Sequence, residues 1–154
     1  MSAESRLLEL KLALPTPPKP VATYVPTVQV GNLVYVSGHG PLQVDGTLIT
    51  GVVGKDLTEE QGVYAARVTG LAILATLKKS LGSLDRVVRL VKTLGMVNTA
   101  PDFYRHPYVI NGFSDLMVEV FGEPGKGARS AVGMGPLPGN IAVEVEAIFE
   151  VRDA

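Results

Sequence analysis

The sequence predicts a single α+β domain: a mixed sheet with two helices packed on one of its faces. Three observations predict it. Apolar residues alternate with period two near both ends of the chain, in Val28 to Ser37 and in Val143 to Val151. Between them lie two stretches with apolar residues at three- and four-residue spacing. Gly or Pro marks the points where one period gives way to the other. A chain of 154 residues can bury a core of this kind without disulfides or a structural metal.

Taken in order, Ser2 is a cap for a short helix from Ala3 to Leu12, which Pro15, Pro17, Pro18 and Pro20 would terminate by removing donors and excluding the α region. Residues 1–23 therefore read as an arm with a stiff connector, and 24–154 as the domain. Thr27–Val30 and Leu33–Ser37 flank a Gly31-Asn32 turn, and extended structure ends at Gly38-His39-Gly40-Pro41. Gly46 introduces a third strand, Thr47–Gly51. Thr58, with Gln61 three residues on, opens a helix that carries Ala65, Val68, Leu71, Ala72, Leu74, Ala75 and Leu77 and ends near Gly82. Arg86–Asn98 is rich in Val and Leu and reads as a strand. Pro107 then opens a second helix ending at Gly122, and two further strands follow, one from Ala128 and one over Val143–Val151. If Gly133–Asn140 reverses the chain, these last two are neighbours, and Arg129 and a glutamate can face the same side of the sheet.

Composition excludes several classes of function. The net charge of -1 supplies no broad positive field, so nucleic acid is not an expected partner. Cysteine is absent, which rules out thiolate metal sites and cysteine nucleophiles and fits a reducing, cytoplasmic setting. No apolar run approaches the ~20 residues of a membrane span. His39 and His106 lack ligand partners at helical or turn spacing, so no metal is expected. Gly125-Lys126-Gly127 is a flexible turn, not a phosphate cradle. Charged residues are 19% of the chain, below the roughly 25% of typical soluble domains. With a mean hydropathy of +0.26, that deficit fits an oligomer that hides part of its sheet.

A few residues carry candidate chemistry. Arg129 either solvates a strand end or offers its fork to a carboxylate. Glu144, Glu146 and Glu150 share a strand face with Ile148, which suggests that this row is partly covered and not simply water-facing. His39 follows a glycine that lets a ligand approach the backbone, or it is a hydrogen-bonded loop histidine. Ser37 and His39, two apart on a strand, point the same way but lack a third orienting group, so no triad is expected. Tyr24 is a pocket wall or ordinary packing, and Asn111 is an amide placed where it weakens its own helix.

Together, Tyr24-Val25, Val30 to Gly38, Val109-Ile110-Asn111, Ala128-Arg129-Ser130, Leu137-Pro138 and Val143 to Ala147 resemble the Rid (reactive intermediate deaminase) or YjgF family, in a longer subgroup with an N-terminal extension. The resemblance implies a chorismate-mutase-like fold assembled as a homotrimer with ligand sites between subunits. It also implies cofactor-free hydrolysis of 2-imino or 2-enamino acids to 2-oxo acids and ammonia. By position, Arg129 would bind the substrate carboxylate and Glu144 would activate or position water. Tyr24 would close the pocket, Ser37, Gly38 and His39 would line it, and Asn111 would support it. Ala131 stands where these deaminases usually have cysteine, and His39 where they usually have glutamine. The alternatives are a non-catalytic trimer that binds a small carboxylate and regulates a partner, and an endoribonuclease.

Overall fold

In the computed structural model, which describes residues 1–154, the chain enters through α1 (Ala3–Glu9). The Ser2 hydroxyl accepts from the Ser5 N–H, as a cap should. The helix stops before the predicted Leu12, and the prolines are not the cause. Lys11 adopts a positive φ of 52°, the Leu12 N–H bonds to the Leu7 carbonyl, and the Lys11 N–H bonds to the Leu8 carbonyl. That reciprocal pair satisfies the last carbonyls and closes the helix.

The hairpin β1 (Thr27–Val30) and β2 (Leu33–His39) turns on Gly31 at φ 60°. Thr47–Gly51 does not form the predicted strand. The Asp45 carboxylate accepts both the N–H and the hydroxyl of Thr47, and Gly46 and Gly51 take positive φ, so only single bridges survive, Leu42 to Leu48 and Thr50 to Ile141. Helix α2 (Glu59–Leu81) opens on a full capping box between Thr58 and Gln61 and closes on Gly82 at φ 82°. A short 3-10 turn at Leu84–Arg86 leads into β3 (Val87–Asn98). Helix α3 (His106–Phe121), β4 (Ala128–Met134) and β5 (Val143–Val151) complete the chain.

The five strands lie in the order β1-β2-β5-β3-β4. β4 runs parallel to β3 because α3 crosses over between them, whereas the other pairs are antiparallel. The two last strands are therefore not neighbours: β3 separates them. On β5, Val143, Val145, Ala147, Phe149 and Val151 are buried beneath α2 and α3, while Glu144, Glu146, Ile148 and Glu150 face away. Cross-strand pairing sets Val28 beside Tyr35 and Tyr35 beside Ile148, which draws an apolar stripe across the helix-free face. Val28 is 49% exposed and Tyr35 44%. No helix is long and apolar enough to cross a membrane.

The two main helices touch through their backbones at Gly112, where a Cβ would collide with the Val63 carbonyl oxygen. The collision is with backbone of α2, so no rotamer change relieves it. Gly112→Ala is expected to destabilise the fold by about 3 kcal/mol and to lower Tm by about 6–12 °C in a thermal melt.

Candidate functional site

The predicted site residues fall into two groups on opposite sides of the sheet. The first forms where β2 departs from regular pairing. Val36 pairs with Ala147 and His39 with Val145, so Ser37 and Gly38 form a bulge against the single residue Glu146. A Cβ on Gly38 would lie 2.7 Å from Glu144 Oε2, so the glycine lets the carboxylate approach the strand backbone. Burial, and then the neighbouring Glu146, push the Glu144 carboxyl above the ordinary glutamate range. A cavity of about 320 Å³ opens beside it, bounded by Tyr24, Gly38, Pro138 and Ile141.

Ser37 takes a supporting position and does not line this cavity, whereas His39 borders it with its ring turned away onto Thr76. The Ser37 hydroxyl donates to the Val25 carbonyl at 2.6 Å, and its N–H to the Pro26 carbonyl, which fixes the segment carrying Tyr24. The bulge turns His39 onto the core face, so it does not point with Ser37 as strict alternation predicts. His39 as a whole is 4% exposed. Nδ1 lies 2.6 Å from the Ser37 carbonyl, which can only accept, so Nδ1 carries the proton. Nε2 then accepts from the Thr76 hydroxyl at 2.7 Å. Burial holds the imidazole below its usual pKa despite that carbonyl, and it stays neutral.

The second group sits on β4. Parallel pairing sets Arg129 beside Thr93 and Ala131 beside Gly95, which places both on the helix side of the sheet. Arg129 Nη1 donates to Asn111 Oδ1 at 2.8 Å and to Ser114 Oγ at 3.1 Å. None of the chain's ion pairs includes Arg129. The Nε and Nη2 N–H groups are left unengaged, and together they form one of the two edges by which a guanidinium takes a carboxylate bidentately. Asn111 is thus explained: it costs the helix a little and aims an arginine. Ser114 went unnoticed in the sequence, although three residues after Asn111 it must share the same helix face.

Glu144 pairs with Met96 on the face opposite to Arg129, so within one chain the carboxylate and the guanidinium do not share a side of the sheet. The expected alignment fails because it assumed adjacent strands. Each group is half a site: one offers an arginine outside any ion pair, in a cavity of about 220 Å³ that Asp115 and Lys126 also line, the other a carboxylate beside an open cavity and no anchoring arginine.

Comparison with known proteins follows the fold closely. Residues 4–149 match the family described as "YjgF/chorismate mutase-like, putative endoribonuclease". The chain is 41% identical to Protein TCP17 of Trypanosoma cruzi over 97% of its length and 94% of that protein. It is 29% identical to the 2-iminobutanoate/2-iminopropanoate deaminase of Dermatophagoides farinae, over 92% of this chain and 95% of the relative. A crystal structure of a protein of unknown function from Agrobacterium tumefaciens superposes with a TM-score of 0.90 at 43% identity, covering 97% of this chain and 92% of the other.

Proposed function

Since the chain belongs to the YjgF/chorismate mutase-like family, we propose that it is a cytoplasmic, cofactor-free hydrolase that deaminates reactive 2-imino or 2-enamino acids to 2-oxo acids and ammonia in a homotrimer. The family includes a protein named as an imine deaminase. The observation that carries the reading is the division of the site. Arg129 has a free bidentate edge on one face, and Glu144 borders a cavity on the other. A second copy supplies the missing half if the apolar stripe through Val28, Tyr35 and Ile148 packs against a neighbour.

In such a site Arg129 holds the α-carboxylate and presents the imine carbon to Glu144 of the adjacent subunit. Water attacks that carbon, the C=N electron pair moves to nitrogen, and the Glu144 carboxylate takes a proton from the water and returns it to the nitrogen. In the resulting carbinolamine the same carboxylate moves the hydroxyl proton to the amine nitrogen, the C=O bond forms, and the C–N bond breaks to release ammonia. The substrate carbon is already electrophilic, so orientation and proton transfer suffice. The test generates 2-iminobutyrate or 2-iminopropionate in situ and follows its loss. Acceleration over buffer is expected, with a trimeric mass in sedimentation; a rate equal to buffer overturns the reading.

One observation favours the regulatory alternative. Ala131 is a methyl on the face that holds Arg129, and it offers no proton. Under that reading 2-oxo acids raise Tm in an Arg129-dependent way while imines are not turned over. RNA cleavage is disfavoured by the net charge of -1.

A further inference from the structure

The N-terminal arm ends as a wall of the Glu144 cavity, and it brings a cation there. The connector residues Pro18, Lys19 and Pro20 border the cavity together with Tyr24. Both ends of the connector are tied down. At the start, Ala3 and Leu7 are buried, and the Glu4 carboxylate accepts from Lys78 Nζ at 2.7 Å and from the Leu84 N–H at 2.9 Å. Arg6 Nε donates to the Glu119 carbonyl at 3.0 Å. Leu12 and Leu14 continue the packing against the core. At the far end, Ser37 clamps the carbonyls of Val25 and Pro26. In between, prolines fix φ at positions 15, 17, 18 and 20, and Pro20 holds Lys19 in the extended region. Lys19 is thus delivered to the cavity by a stiff segment, with little backbone entropy left to lose on binding.

Its charge has no partner. Lys19 takes part in none of the chain's ion pairs. Glu144 is the other charged residue at the cavity, and Lys19 has no part in its raised pKa. The neighbouring His39 ring is turned inward, onto Thr76. Lys19 is therefore the one cation that lines the Glu144 cavity within its own chain, whereas Lys126, which lines the Arg129 cavity, is already paired with Glu123.

We propose that Lys19 is a specificity-determining residue that selects ligands with a second acidic group on the side chain, so that the substrate class is the 2-imino dicarboxylic acids. This rests on the deaminase reading above, in which Arg129 takes the first carboxylate. The arm then serves to tune what the site accepts.

Calorimetric titration of the full-length protein with two stable 2-oxo acids tests it. 2-Oxoglutarate is expected to bind about five- to tenfold more tightly than 2-oxobutyrate. Lys19→Ala should bring the two affinities together by weakening only the dicarboxylate, Lys19→Glu should reverse the order, and Lys19→Arg should keep it. Arg129→Ala should remove both. Equal wild-type affinities that still depend on Arg129 overturn the role of Lys19 and leave the deaminase reading standing, as does an equal loss for both ligands in Lys19→Ala. Failure of the wild type to bind either acid overturns both.

Discussion

Arg129→Ala is expected to lower kcat/KM for 2-imino acids by about two to three orders of magnitude, because it removes a charge-assisted bidentate contact from a site that water leaves on binding. The side chain is exposed at the edge strand β4, and it is tied to the fold only through Nη1 to Asn111 and Ser114. The melting temperature should therefore stay close to wild type, which separates loss of the anchor from loss of structure. Arg129→Lys is not expected to rescue. An ammonium is a point charge without the planar edge, and the Asn111 and Ser114 oxygens that now aim the guanidinium would pull it away from the ligand. Asn111→Ala should cost less, about tenfold, since Ser114 still accepts from Nη1. The loss should fall mostly on KM. The carboxylate is present in substrate and transition state alike, so its contact contributes largely uniform binding. Steady-state rates with imine generated in situ, over a range of concentrations, measure that split.

Where local chemistry decides structure, the sequence was legible. The helix start at Thr58 and Gln61, its end at Gly82 and the alternation of Val143 to Val151 all appear as read. What misled was topology. Two strands consecutive in sequence looked like partners, but the crossover through α3 had already placed β4 on the far edge, parallel to β3. No local pattern carries that information, because strand order is settled by which faces the helices cover. The same limit applied to the site. Arg129 and Glu144 were both visible, yet the faces they occupy follow from pairing register, where one residue exchanges in for out. The Ser37–Gly38 bulge is a further case: strict alternation sets Ser37 and His39 together, and one extra residue separates them, with His39 against Thr76 and Ser37 against Val25. The connector was read as a spacer because prolines break helices. That they also hold Lys19 beside a cavity depends on where the two ends of the arm are pinned.

Glu144→Gln should lower kcat by about two to four orders of magnitude, the usual contribution of a positioned acid–base group. Glutamine fits the space above Gly38 but cannot take a proton from water. Burial and Glu146 hold the Glu144 carboxyl above its ordinary range, and the carboxylate is the working form. The wild-type rate should therefore fall as pH drops through that raised pKa, and the acid limb should vanish in Glu144→Gln. Glu146→Gln removes the like charge, lowers the Glu144 pKa and moves the limb to lower pH while leaving the plateau rate nearly intact. Mixing provides the sharper criterion for a site shared between subunits. When Arg129→Ala and Glu144→Gln chains are unfolded together in equal amounts and refolded, about three quarters of the trimers are mixed, and each has one site with both groups intact. With substrate well below the wild-type KM, activity should return to about a quarter of the wild-type level, though each parent alone is nearly inactive there. If both groups instead acted within one chain, no mixture could restore the reaction. The recovered activity should also show the acid limb of the wild type, since the one restored site carries an intact Glu144 beside an intact Glu146.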